Sequence, residues 1–217
     1  MSKTVFFLWT AMTLFLASQP AYPADTLSKQ DLKDLQTKMS QRQDLALSFE
    51  QVRVSNLRPN KPSVSKGHAL FQKPAKFRWE TITPKPDVVA FDGVNLVNFK
   101  PGDMTATRYK ADGDRAKEIR EVIDFVMDFD SLLKRYKIVS STKSASGIVL
   151  KMSPSVKDSA ITSLDISLDA KEALVTGVKM TFQNKNTTEF RFSAPTFTQA
   201  DRQMFGAPAG VKIIDGL

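Results

Sequence analysis

Few side chains in this sequence are suited to catalysis or metal binding. Cysteine is absent and His68 is the single histidine, so disulfides, thiol chemistry and thiolate metal sites are excluded. Glu118, Glu121, Asp124 and Asp128 recur at spacings of three and four, which brings their carboxylates to one helix face where a divalent cation would find oxygen ligands. A solvated polar face opposite an apolar stripe explains the same spacing more simply.

Recognisable catalytic motifs are also missing from the sequence. It contains no Gly-x-Ser-x-Gly, no His-Glu-x-x-His and no phosphate-binding glycine loop. We therefore predict a protein that is not an enzyme, with no catalytic residue, no metal and no cofactor. A hydrolase built on carboxylates outside any known motif is the alternative.

The first 24 residues have the order of a signal peptide. Lys3 supplies a positive charge, an apolar run covers 4–17, and a helix-breaking stretch covers 18–24. The run is shorter than the roughly 20 residues that span a bilayer. We expect cleavage after Ala24, with Ala21 as the second choice and an uncleaved anchor as the alternative. Residues 25–217 then form a single exported domain.

The basic charge restricts the class of partner. The formal net charge is +8, and Lys3 is the only charged side chain before Asp25, so residues 25–217 keep 30 Lys and Arg against 23 Asp and Glu. These charges are interleaved and no nucleic-acid-binding motif is present, so we predict no nucleic acid partner. The charge implies mild attraction to anionic surfaces or to acidic faces of partners.

Hydrophobic periodicity predicts a mainly β protein. A helix over 27–40 has Ser28 as its cap and Leu27 with Leu32 as a hydrophobic staple. Alternation with period two then predicts antiparallel strands, joined by a type I′ turn at Asp92-Gly93 and a second turn at Pro101-Gly102, which favours a sandwich or a barrel. The predicted strands are 45–54, 64–73, 76–83, 87–92, 94–100, 104–109, 136–142, 146–152, 160–168, 173–182 and 186–193.

A helical segment interrupts the strands at about 115–136. Apolar residues fall at i, i+3, i+4, i+7 and i+8, which is typical of an amphipathic helix. They are Ile119, Val122, Ile123, Val126 and Met127. A second short helix carrying Phe129 follows, capped by Asp128 or Asp130. The segment is either a plug that fills a barrel core or a lid over a binding site.

Several short motifs follow one another in a distinctive order. They are Ser48-Phe49-Glu50-Gln51, Gly67, Phe71-Gln72-Lys73-Pro74-Ala75-Lys76-Phe77-Arg78-Trp79, Asp92-Gly93, and Phe205 followed by Pro208-Ala209-Gly210-Val211. The ordered set resembles the LolA family of outer-membrane lipoprotein carriers and covers nearly all of 25–217. The resemblance implies an incomplete, unclosed antiparallel β-barrel, mainly β with some α, capped by short helices that form a lid at about 115–136.

The resemblance also implies a function and partners. Such a protein works in the periplasm as a monomer, accepts acylated lipoproteins from an inner-membrane ABC lipoprotein exporter and passes them to an outer-membrane acceptor. Lys73 stands where the family often has arginine, and is the candidate latch for the backbone of the lid. Where the family often has Trp and Tyr after Asp-Gly, this chain has Leu96, Val97 and Phe99. The alternative is a non-transporting periplasmic sensor or scaffold of related fold.

The expected site is an apolar lining that shelters acyl chains from water. Transferring a sixteen-carbon chain to water costs on the order of 10 kcal/mol, at about 0.8 kcal/mol per CH₂. The alternation in Phe77-Arg78-Trp79-Glu80 places the two aromatic rings on one face. For any one of these residues, ordinary core packing explains burial equally well. The predicted lipid-binding residues are Phe71, Phe77, Trp79, Val89, Phe91, Leu96, Phe99, Ile119, Val122, Ile123, Val126 and Phe129.

Overall fold

The computed structural model describes residues 27–110, 113, 123–145, 147–197 and 201–216. The predicted signal peptide lies outside these residues, and so do Ile119 and Val122 of the predicted lid. The described helices are Lys29–Gln41 (α1), 123–127 (α2) and Phe129–Arg135 (α3), with a 3-10 turn at Arg202–Phe205.

Twelve strands form one sheet. They are Asp44–Ser55 (β1), Arg58–Gln72 (β2), Lys76–Thr83 (β3), Asp87–Phe91 (β4), Leu96–Phe99 (β5), Thr105–Tyr109 (β6), Tyr136–Ser144 (β7), Gly147–Pro154 (β8), Ile161–Leu168 (β9), Val175–Phe182 (β10), Thr187–Thr196 (β11) and Lys212–Asp215 (β12). Their order is β12-β6-β5-β4-β3-β2-β1-β11-β10-β9-β8-β7. The sheet is not closed, as expected, and it is antiparallel except where β12 pairs with β6 in parallel.

The sheet curves around its helices. Alternate residues are buried along much of the sheet, as in β1, where Leu45, Leu47 and Phe49 are covered and their neighbours are partly exposed. Buried residues on one face of β1 to β5 and of β7 to β11 form one cluster with those of all three helices. Such a cluster requires strands from both halves of the sheet to surround the helices. We call the surface that faces this cluster the inner face.

The C-terminal segment covers part of the opposite, outer face. Val88, Ala90, Val97, Phe99 and Ala106 form a separate small core that packs against residues of 207–211. Phe99 is paired with Val88 across β4 and β5, and both side chains therefore belong to the outer face. The prediction that Phe99 lines the same surface as Leu96 is wrong, because positions three apart in a strand point to opposite faces.

One further prediction needs correction, and two elements were missed. Neither β12 nor the 3-10 turn was predicted. The β4–β5 turn is a four-residue loop rather than a type I′ turn, since Phe91 pairs with Leu96 and the left-handed φ lies at Gly93 (102°) and not at Asp92. Asp92 Oδ1 instead accepts hydrogen bonds from the backbone N–H groups of Val94 (2.8 Å) and Asn95 (2.7 Å), which fixes the loop.

Candidate functional site

The inner face gathers the strand residues that were predicted to line the site, apart from Phe99. Five of them are buried in the main cluster: Phe71, Phe77, Val89, Phe91 and Leu96. Trp79 packs against the same cluster and is only partly buried. The structure thus brings these side chains to one apolar surface, and their contact with lipid stays a prediction.

Trp79 is the centre of an aromatic group on the inner face. Its ring stacks on Phe49 with centroids 4.0 Å apart and meets Phe190 edge-on at 5.5 Å, and Phe190 stacks on Phe192 at 6.0 Å. Phe49, Phe190 and Phe192 were not among the predicted site residues. Their alternation in two predicted strands was the signal that identifies them, because Phe190 and Phe192 share one face of β11 and Phe49 shares one face of β1 with Leu47.

Helices α2 and α3 cover the inner face with apolar side chains. Ile123, Val126 and Phe129 are buried in the same cluster as the strand residues, at 7%, 0% and 2% exposure. Phe125 and Leu132 join them and were not predicted to bind lipid. The apolar stripe predicted over 115–136 therefore faces the sheet wherever it is described, and in this arrangement it occupies the inner face itself.

Short-range polar contacts shape α2 and α3. Asp128 caps α3, where its Oδ1 accepts from the Ser131 N–H at 3.1 Å and its Oδ2 from the Ser131 hydroxyl at 2.8 Å. Asp124 forms a 2.7 Å ion pair with Arg135. Asp130 accepts a 2.8 Å hydrogen bond from the Gln36 side chain, which links α3 to α1. Asp124 and Asp128 thus stabilise the two helices through these contacts, which accounts for their spacing.

Lys73 binds the end of α1 instead of the described part of the predicted lid. Its Nζ donates to the carbonyl oxygens of Met39 and Ser40, each at 2.9 Å. The last carbonyls of a helix have no partner within the helix, and Arg42 is extended, so no glycine-type cap satisfies them. The prediction that Lys73 bonds the backbone of 115–136 is therefore wrong for α2 and α3.

The charge of Lys73 nevertheless acts on α3. Burial lowers the pKa of Lys73, Asp128 and Asp130 raise it, and Arg42 lowers it, with a net lowering. Burial raises the pKa of Asp128, but its hydrogen bonds with Ser131 and the attraction of Lys73 outweigh burial and lower it. Lys73 thus holds α1 by hydrogen bonds and attracts the start of α3 through its charge.

Helix α1 is anchored to both halves of the sheet. Beyond Lys73 in the β2–β3 turn, Arg42 donates to the Glu172 carbonyl at 2.8 Å and Lys38 to the Lys171 carbonyl at 2.7 Å, both in the β9–β10 turn. At its other end, Asp31 pairs with Lys143 of β7 at 2.6 Å. A cleft of about 250 Å³ lies between α1, the β2–β3 turn and α2–α3, and Lys73 and Phe71 are part of its lining.

Comparison with known proteins decides the family. The family model described as outer membrane lipoprotein carrier protein LolA matches residues 40–207. The chain belongs to the LolA family. A protein named outer-membrane lipoprotein carrier protein from Vibrio cholerae serotype O1 is 27% identical over 95% of this chain and 97% of its own length. A protein of the same name from Vibrio parahaemolyticus serotype O3:K6 is 25% identical over 94% and 91%.

The fold of this LolA-family chain also occurs in a solved structure. An uncharacterised conserved protein from Thermus thermophilus superposes with a TM-score of 0.54, covering 86% of this chain and 98% of the other. At 7% identity this match shows a shared fold alone.

Two observations concern the polar groups outside the helices. His68 Nδ1 lies 3.2 Å from the Ser48 hydroxyl on the exposed outer face. Within the described ranges, no cluster of three or more His, Asp or Glu residues is arranged to hold a metal ion. None of the helices described is long and apolar enough to cross a membrane.

Proposed function

We infer that this protein is a periplasmic carrier that shelters the acyl chains of lipoproteins between the inner face and α2–α3. It would receive them from an inner-membrane ABC lipoprotein exporter and pass them to an outer-membrane acceptor, acting as a monomer without a cofactor. One observation supports this most strongly. A single apolar cluster joins an unclosed sheet to a helical cover, and that cover has few described polar links to its surroundings.

The energetics suit uptake followed by release. A sixteen-carbon chain gains on the order of 10 kcal/mol when it leaves water. Ile123, Phe125, Val126, Phe129 and Leu132 occupy the inner face in the closed form, and burial of such side chains is worth about 1.5–3 kcal/mol each. An acyl chain that enters displaces these side chains, whose total burial free energy is similar to its own transfer free energy. The net free energy of binding is therefore much smaller than the transfer free energy. The cargo therefore remains transferable.

Trp79 provides a direct test, because it is the only tryptophan in residues 25–217. The purified mature protein is mixed with inner-membrane vesicles that contain the exporter and a lipoprotein with brominated acyl chains. We expect a soluble complex in which bromine quenches Trp79 fluorescence and the recovered lipoprotein keeps its mass. The matched control is the same lipoprotein without acyl chains.

The outcome separates a carrier from the other functions. A well-folded protein that solubilises no acylated cargo would contradict the carrier proposal and favour a scaffold or sensor. A cargo recovered with altered mass would indicate an enzyme. Quenching without solubilisation would show binding at the vesicle surface and would also contradict transport.

A further inference from the structure

The β1–β2 hairpin extends past the sheet on one side. β3 pairs with β2 only from Lys66 to Gln72, so the part of β2 that precedes Lys66 has β1 as its single neighbour. Residues 56–64 are exposed without exception. Pro59 and Pro62 lack an N–H and Lys61 adds a charge, which are features that prevent an edge from pairing with another strand. This edge is therefore unsuited to adding a strand from a partner.

The hairpin carries positive charge that is not neutralised locally. No acidic residue occurs between Gln51 and Trp79. Arg53, Arg58 and Lys61 are exposed, and no described carboxylate forms an ion pair with them. Arg53 donates to the Gln51 amide oxygen at 3.1 Å, and this oxygen is a neutral acceptor. These three cations therefore face solvent without an anionic partner among the described residues.

An apolar residue stands at the tip among these cations. Leu57 is 88% exposed, whereas apolar residues at the other end of the hairpin, such as Leu45 and Phe71, are buried. Val64 on the same hairpin is 42% exposed and Ile82 on β3 is 46% exposed. The adjacent β10–β11 turn is linked to the tip by the Asn56 N–H, which donates to Asn186 at 2.9 Å.

We propose that the hairpin tip, residues 53–64, binds the surface of bilayers that contain anionic phospholipid. Its cations meet the head groups while Leu57 enters the interfacial region, a combination that suits a membrane surface. An acidic protein would be matched by the cations but not by a lone projecting leucine. The tip shares no residue with the inner face, so this contact is independent of cargo binding and can be tested on the empty protein.

The test is co-sedimentation of the empty mature protein with vesicles at physiological salt. We expect binding to vesicles that contain phosphatidylglycerol, whose anionic head groups give the surface a negative potential, and little binding to phosphatidylcholine alone. Each lost cation should weaken binding about fivefold, so the variant Arg53→Gln/Arg58→Gln/Lys61→Gln should bind on the order of 100-fold more weakly. Higher salt should weaken the wild-type contact as well.

A matched triple variant separates the hairpin from net charge. Lys134→Gln/Lys137→Gln/Lys151→Gln removes three exposed lysines elsewhere and should retain wild-type binding.

A tip tryptophan tests insertion in a background that lacks Trp79. Leu57→Trp in a Trp79→Phe chain should show blue-shifted emission on anionic vesicles.

Several results would overturn the proposal. They are absent wild-type binding to anionic vesicles, equal losses in the two triple variants, and a tip tryptophan whose emission does not shift. If the hairpin variant kept wild-type binding to anionic vesicles and lost only binding to an acidic partner protein, the tip would bind that protein and not a bilayer. Circular dichroism and the melting temperature confirm that each variant is folded. If the hairpin tip does not bind bilayers, the proposed cargo uptake by the inner face is unaffected. The two proposals can therefore be tested separately.

Discussion

Replacing Lys73 by methionine tests how the end of α1 is held against the β2–β3 turn. Methionine keeps the apolar stem and removes the ammonium that donates to the carbonyls of Met39 and Ser40, each at 2.9 Å. A hydrogen bond from a charged group contributes about 1.5–3 kcal/mol when buried, and a cation at a helix end contributes about 0.3–1 kcal/mol. Lys73 is half-buried and water can reach the Ser40 carbonyl, so we expect a loss near the lower end, about 1.5 kcal/mol.

Urea unfolding measures this loss. With a slope of about 2 kcal/mol per M, the midpoint should fall by roughly 0.7 M while the slope stays constant. The exposed Lys137 offers a matched control, since Lys137→Met removes a charge that has no described partner and should change the midpoint little. Hydrogen exchange should accelerate most in the last turn of α1.

The same substitution should ease uptake of cargo. Lys73 attracts Asp128 and Asp130 at the start of α3, and without it the closed form loses part of its advantage. A solvent-accessible charge pair contributes about 0–1 kcal/mol, so apparent affinity for an acylated peptide should rise by up to about fivefold. An unchanged urea midpoint would refute the role of these bonds at α1, and weaker uptake would refute the role of the charge at α3.

Three further predictions follow from single positions. Gly67→Ala should lower the melting temperature sharply, because its Cβ would lie 1.8 Å from the Glu80 carbonyl oxygen, whereas Gly177→Ala meets nothing closer than 3.5 Å and should be tolerated; equal losses would refute this reasoning. The lowered pKa of Asp128 means that its charge stabilises the fold above its ordinary value of 3.8 and that this contribution is lost as pH falls. Thermal melts should therefore show the gap between wild type and Asp128→Asn shrinking below about pH 4, and a gap independent of pH would contradict the assignment. Phe91→Leu should change acyl-peptide affinity measured by quenching, while Phe99→Leu on the outer face should cost similar stability, about 1 kcal/mol, and leave affinity unchanged; a matching change in both would refute the two-face description.

Strands with strict alternation could be predicted closely from sequence. The segment Phe77-Arg78-Trp79-Glu80 placed β3 at 76–83, its observed bounds, because period two is a local property of the chain. The four residues of β12 carry no such signal, since Ile213 and Ile214 are adjacent. Its parallel pairing with β6 arises from long-range packing that no local pattern encodes.

Most residues of the inner face could be predicted from sequence, but the polar contacts around them could not. Phe91 and Leu96 pair directly across β4 and β5, so their side chains share one face, and both are buried in the main cluster. Strict use of the same period would have excluded Phe99, three positions after Leu96. The target of Lys73 depended on where α1 ends relative to the β2–β3 turn, and that distance is set by tertiary packing.

The proposed carrier function requires that acyl chains enter between the inner face and α3 only after α3 leaves α1. Since the chain has no cysteine, Gln36→Cys/Asp130→Cys can be bridged by a short reducible thiol crosslinker across side chains that now meet at 2.8 Å. Because α1 is anchored to both halves of the sheet, the bridge also fixes α3. Transfer of an acylated lipoprotein from inner-membrane vesicles should stop when the bridge is formed and recover on reduction. A bridged protein that loads as fully as the reduced one would contradict the account.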